Sequence, residues 1–158
     1  MIRRDPASVV ERYADMVYRI CYVRLHGCQA GSVDDAFQET FLRYMETMPH
    51  FQSEEHEKAW FCRCAVQRCT DILRAHTRHP TSPLSDTQPV TDTPETTDNR
   101  VLEMLLALPE LYRMPLYLSA VMGYTTGEIA SLLHLLPGTV RVRLSRAREL
   151  LAEQWKET

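Results

Sequence analysis

The sequence predicts an all-α protein made of two small helical domains joined by a flexible linker. Three observations carry this prediction. Apolar residues recur at spacings of three and four in several segments, and no alternating apolar–polar run suggests a strand. Hydrophobic residues make up 44% of the 158, enough for packed cores, and only five residues are glycine. Between the periodic segments, residues 79–99 hold four of the nine prolines and many Thr and Ser, with almost nothing apolar. Such a stretch cannot bury enough surface to fold, so it reads as a disordered linker. The expected division is a domain at 1–78, the linker at 79–99 and a domain at 100–158.

Charge follows the same division. Residues 1–78 carry 11 basic and 11 acidic side chains, the linker is net −4, residues 100–158 are net +1, and the chain totals −3. No window approaches the length of a membrane span, so membrane insertion is not expected. The N-terminus has charges where a signal peptide would have its apolar core. Five cysteines, an odd number in a chain with no export signal, point to reduced thiols and a cytoplasmic location.

The elements follow in order. After Pro6, the residues Val9, Val10, Tyr13, Met16, Val17, Ile20 and Cys21 recur at helical spacing. A turn from Gly27 to Ser32 precedes a second helix, with Ala36, Phe37, Thr40, Phe41, Tyr44 and Met48 along one face and Asp34, Asp35, Gln38, Glu39 and Arg43 mostly elsewhere. Pro49 to Glu57 is polar apart from Phe51 and reads as a loop, and a third helix is expected from about Lys58 to His76. Beyond the linker, helical pattern resumes at Val101. Pro115 predicts a kink or restart in a helix that begins near Pro109.

Gly123 to Leu151 reads as two short helices joined by a tight turn. Thr125 and Glu128 have the spacing of a capping box. Ile129, Ala130, Leu132 and Leu133 give the first helix an apolar face, His134-Leu135-Leu136 is the break, and Pro137 suits the first turn of the next helix. On that helix Val140, Leu144, Ala147 and Leu151 fall on one side. Val142, Ser145, Arg146 and Glu149 fall opposite, flanked by Arg141, Arg143 and Arg148. Residues 137–151 carry four Arg against one Glu, and the Arg fork suits phosphates and guanine edges better than it suits mere solubility. A helix-turn-helix that binds DNA is the reading these residues favour over a solvated amphipathic helix.

Taken in this order, VDDAFQETFLRY (33–44), AWFCRCAVQRCTDILR (59–74) and the helix-turn-helix resemble one family. They are similar to the extracytoplasmic-function (ECF) type of bacterial RNA polymerase sigma factor, within the sigma-70 superfamily. The resemblance covers roughly residues 8–76 and 101–155 and implies a fold of two helical domains on a flexible linker. It also implies a function: a sigma factor that binds core RNA polymerase, recognises upstream and downstream elements of promoter DNA, and aids melting. An anti-sigma factor is a further implied partner. By the same resemblance Asp35, Gln38, Glu39 and Leu42 would dock on the polymerase. Phe51, Arg63, Gln67, Arg68, Asp71 and Arg74 would serve the downstream element and its melting. Thr139, Arg141, Val142, Arg143, Ser145 and Arg146 would serve the upstream element.

The chain departs from the family pattern at Gln67, where Asn is usual, and at Cys62 and Cys64, where bulkier apolar residues are usual. His134 replaces a common turn glycine, and Val142 replaces a small polar residue, which would favour contact with a thymine methyl. Two other functions remain open at this point. One is a stand-alone helix-turn-helix regulator; the other is a sigma-like decoy that titrates an anti-sigma factor. No Gly-rich phosphate loop, nucleophile elbow or metal-spaced His pair is present, so neither enzyme activity nor a cofactor is expected. Cys62 and Cys64 project roughly 200° apart on a helix and do not converge on a metal, so these thiols read as small core residues.

Overall fold

A computed structural model of the chain describes residues 4–28, 31–78 and 97–157, with the backbone alone for 76–78 and 97–99. The chain divides into two compact units, residues 1–87 and 88–158. Seven α-helices make up the regular structure of the described residues, three in the first unit and four in the second. Most of the expected linker, 79–96, lies outside the described residues. Its last three positions belong to a helix, so the turn-rich composition of the segment stops short of residue 99.

In the first unit α1 (Pro6–Arg24), α2 (Ser32–Thr47) and α3 (Glu54–Arg78) each pack on the other two. Pro6 opens α1, where its missing N–H is not needed. Val9, Tyr13, Val17 and Ile20 from α1 meet Ala36, Phe41 and Tyr44 from α2 and Phe61, Ala65 and Val66 from α3 in the core. Phe61 is the hub. Its ring centroid lies 4.7 Å from that of Tyr13, 5.0 Å from Trp60, 5.3 Å from Tyr44 and 5.6 Å from Phe41. Buried Thr40 satisfies its hydroxyl by donating to the Ala36 carbonyl at 2.8 Å.

Two expectations are corrected here. The third helix starts at Glu54, not near Lys58. The His56 N–H donates to Ser53 Oγ at 3.1 Å, and Glu54, Glu55 and Glu57 sit in the first turn, where the helix dipole favours carboxylates. What reads as a polar loop is therefore a helix start. Met48, expected on the apolar stripe of α2, instead ends that helix in the left-handed region at φ 43° and is half exposed.

Glu57 is a charged residue in an apolar place, fully buried at the start of α3. It accepts hydrogen bonds from the Tyr13 hydroxyl and from Arg4 Nε at 3.1 Å, while Arg4 Nη2 and Arg12 Nη2 reach Glu54 at 2.8 and 3.1 Å. A buried carboxylate is tolerable only with such partners. Burial, and then the bond to Glu57, pushes the Tyr13 phenol up to about 12. Because the folded-state value lies above the unfolded one, this contribution to stability is intact below about pH 10 and is lost as pH rises toward 12. Tyr13→Phe should cost about 1.5–3 kcal/mol at neutral pH, as expected for a hydrogen bond to a charged group. It should also make the alkaline decline shallower. Urea unfolding followed by circular dichroism at several pH values checks both; an unchanged alkaline slope would count against the Tyr13–Glu57 pairing.

In the second unit α4 (Thr97–Leu106), α5 (Glu110–Ala120), α6 (Thr126–Leu133) and α7 (Pro137–Glu157) surround a core of Leu105, Leu108, Met114, Leu118, Ile129, Val140 and Leu144. Pro109 separates α4 from α5, and α5 runs through Pro115 without the expected restart. The carbonyl that Pro115 cannot engage is that of Leu111, in the exposed first turn. At that place the missing hydrogen bond is cheap, and Pro115 itself is buried. After α5 the chain turns at Gly123, whose φ of 75° suits glycine, and the Tyr124 N–H returns to the Leu118 carbonyl at 2.9 Å.

Candidate nucleic-acid interface

Helices α6 and α7 form the helix-turn-helix. Thr125 caps α6: its Oγ1 accepts the Glu128 N–H at 3.2 Å, and its hydroxyl lies 3.1 Å from the Glu128 carboxylate, which takes the hydroxyl proton. The expected box thus closes side chain to side chain. His134 ends α6 in the left-handed region at φ 56°, the backbone geometry that a glycine would adopt more easily. The Leu135 N–H bonds back to Ala130 O at 2.9 Å, and α7 starts at Pro137.

Packing against α5 and α6 buries Val140, Leu144 and Ala147 and so fixes which side of α7 faces outward. Arg141, Val142, Ser145 and Arg146 are exposed, Val142 at 69%, while Thr139 and Arg143 are half-buried. Thr139, Val142 and Arg143 join Gly138, Leu111 and Tyr112 around an open cleft of about 420 Å³. Arg146 Nη1 lies 3.0 Å from Glu149 Oε2, and that hydrogen bond raises the guanidinium pKa above its usual value. Sequence spacing hints at the Arg146–Glu149 pair. The placing of Leu111 and Tyr112 beside α7 is a long-range contact that no local pattern reports.

On α3 the buried side is Phe61, Cys62, Ala65, Val66 and Cys69. Arg63, Gln67, Asp71 and Arg74 share the opposite side by their three- and four-residue spacing, with Arg68 on the flank. Gln67 Nε2 donates to Asp71 Oδ1 at 3.1 Å, and Arg68 Nη1 stands 3.7 Å from Asp71 Oδ2, so a carboxylate organises this face. Phe51 is a correction. Expected among the residues that serve the downstream element, it is 2% exposed, with ring contacts to His56, Trp60 and Phe61, and its ring is a member of the core. The polar residues around it, His50, Gln52 and Ser53, are the ones at the surface. Trp60 is half-buried against Tyr44 and Phe61. Burial pushes the Cys64 thiol up, and a hydrogen bond with Cys21 together with burial pushes Cys69 up strongly.

On α2 the exposed side presents Asp35, Gln38, Glu39 and Leu42, with Leu42 57% exposed and Met45 beside it on the same face. Asp34 and Asp35 also complement the N-terminal end of the helix.

Among the described residues the regular structure is helical throughout, with a helix-turn-helix in the second unit and a polar helical face in the first. Residues 9–79 match the model of sigma-70 region 2, and residues 98–151 match that of sigma-70 region 4. The chain is 30% identical over 151 residues to the ECF RNA polymerase sigma factor SigM of Mycobacterium tuberculosis, spanning 90% of this chain and 77% of that protein. It is 27% identical over 168 residues to the ECF RNA polymerase sigma factor SigW of Bacillus subtilis, spanning 96% and 89%. Among solved structures, the sigma factor RpoE of Bartonella quintana in complex with the anti-sigma factor NepR shares the fold at TM-score 0.73. That match has 19% identity and covers 95% of this chain and 96% of the other. CnrH, in complex with the cytosolic domain of CnrY, does so at 0.60, with 22% identity over 96% and 88%. The chain belongs to the sigma-70 family, within its ECF type, a family that is not one of enzymes. Among the described residues no helix is long and apolar enough to cross a membrane.

Proposed function

We propose that this chain is a dissociable specificity subunit. It binds core RNA polymerase in the cytoplasm, brings it to promoters through two DNA-reading modules and assists strand opening, while RNA synthesis belongs to the polymerase. The observation that carries this reading is the presence of regions 2 and 4, in that order, on two helical units of one chain. In it, α7 reads the upstream element through Thr139, Arg141, Val142, Arg143, Ser145 and Arg146. The outer face of α3, with Arg63, Gln67, Arg68, Asp71 and Arg74, serves the downstream element. The α2 face with Asp35, Gln38, Glu39 and Leu42 docks on the polymerase, and residues 79–96 connect the modules. An anti-sigma factor that covers these faces is the natural regulator, a reading supported by the fold relative RpoE, which was solved with the anti-sigma factor NepR.

Run-off transcription from genomic fragments, with holoenzyme reconstituted from the chain and core enzyme, tests the reading. Transcripts that depend on the chain support it. Tight duplex binding by the chain alone, with no transcripts, would favour a stand-alone regulator. A docking prediction accompanies the test. Reversing Asp35 and Glu39 together to Lys should weaken core binding by at least about tenfold, since like charges placed across an interface are costly. Helix content should stay unchanged, because both side chains are exposed. Competition binding to core enzyme with circular dichroism in parallel measures both, and undiminished binding would remove these residues from the docking face.

A further inference from the structure

Residues 137–151 carry a single acidic side chain, Glu149, among four arginines. On α7 it lies seven residues beyond Val142 and three beyond Arg146, on the side opposite buried Val140, Leu144 and Ala147. A carboxylate on a face that approaches a polyanion weakens binding by simple repulsion. Nothing in the packing of α7 requires it, since Glu149 is 60% exposed. As a helix stabiliser the pair is poor, because a basic residue N-terminal to an acidic one is the less favourable order and exposed pairs contribute little.

What Glu149 does in the structure is hold Arg146. Its Oε2 accepts a hydrogen bond from Nη1 at 3.0 Å. A guanidinium has five N–H donors, so the Nε–Nη2 edge remains free of this bond and keeps the two-donor fork that matches O6 and N7 of guanine. A long side chain fixed before contact loses less rotamer freedom on binding. Glu153 is the other carboxylate whose charge acts on Arg146, in the same direction as Glu149.

We infer that Glu149 is a positioning residue, which fixes the Arg146 fork so that α7 selects guanine at one base pair of the upstream element. The inference rests on the proposed DNA-facing assignment of α7, and its sign is unusual: Glu149 lowers affinity for DNA in general and raises selectivity at one position.

The test uses holoenzyme reconstituted from the full chain and core enzyme. The probe is a duplex pool randomised across the upstream element, with a scrambled duplex of fixed sequence beside it. Wild type, E149Q, R146A and the double variant are compared by sequencing the bound fraction. At the base pair where R146A loses its guanine preference, E149Q should weaken that preference about 2- to 5-fold, the range an exposed pair can supply. Its binding to the scrambled duplex should be tighter, and in the R146A background E149Q should add no further loss of guanine preference. A loss spread evenly over all positions, a loss at a different base pair, or lost helix content in E149Q would overturn the positioning role. If R146A alters preference and E149Q does not, that role fails while the DNA-facing assignment stands. An R146A profile identical to wild type sinks the assignment, and the inference with it.

Discussion

Phe61→Ala should strongly destabilise the first unit while leaving the second unit unaffected. The ring is fully buried and touches five other aromatic rings from all three helices and from the segment before α3. Removing it deletes the burial of the whole ring and leaves a cavity whose walls belong to different helices and cannot close together. A Phe→Ala change of this kind costs about 3–5 kcal/mol, a large part of the stability of a small domain. Differential scanning calorimetry of the full chain should show one transition moved down or absent and the other unmoved. Core binding should fall with it, since the docking face stands on α2. Two transitions shifting together would show that the units melt as one, and an unshifted first transition would contradict the hub role of Phe61.

Where sequence reading succeeded and where it failed have a common physical cause. Helical periodicity places Val9, Tyr13, Val17 and Ile20, and likewise Val140, Leu144 and Ala147, because a residue's side of a helix depends on local geometry alone. The all-α class follows from that level, whereas the family rests on the resemblance of three motifs taken in order. Phe51 is hidden because a lone aromatic in a polar run has no period; only the neighbouring α3 rings show that it is buried. The start of α3 is obscured because Ser53, Glu54, Glu55 and Glu57 are both ordinary loop residues and good first-turn residues. Pro115 misleads for a related reason. The hydrogen bond it removes falls in the exposed first turn of α5 and costs little there, a position that depends on where the helix starts. The buried Glu57 network is tertiary from the outset, since Arg4 and Tyr13 lie 53 and 44 residues away.

The faces that meet partners were legible as types of surface more than as contacts. An arginine-rich side on α7 can be read from spacing, whereas its cleft with Leu111 and Tyr112 requires α5 to fold back beside it. On α2, spacing separates the acidic side from the core, and the structure adds that Leu42 and Met45 stand exposed within it. Apolar side chains left in water beside carboxylates suit a partner surface better than a solvated one.

Removing the arginines of α7 should have the largest effect on promoter selection. In the triple variant Arg141→Ala, Arg143→Ala and Arg146→Ala, the helix keeps its anchors at Val140, Leu144 and Ala147, and Ala is a good helix former. Circular dichroism should therefore match wild type. Holoenzyme affinity for a selected promoter duplex should drop by about 100-fold or more, since a single base-reading arginine is worth about 1–3 kcal/mol. The single variants then sort the roles. A base reader loses discrimination at one position with little change in salt dependence. An arginine that neutralises a phosphate weakens all sequences alike when removed, and the slope of log affinity against log salt falls by about 0.9. Arg146, on the outermost side and paired with Glu149, should behave as a base reader. Arg143, half-buried at the cleft wall, should behave as a phosphate binder. Unchanged promoter affinity in the triple variant would mean that α7 does not carry upstream recognition, and that its arginines only keep a surface helix in solution.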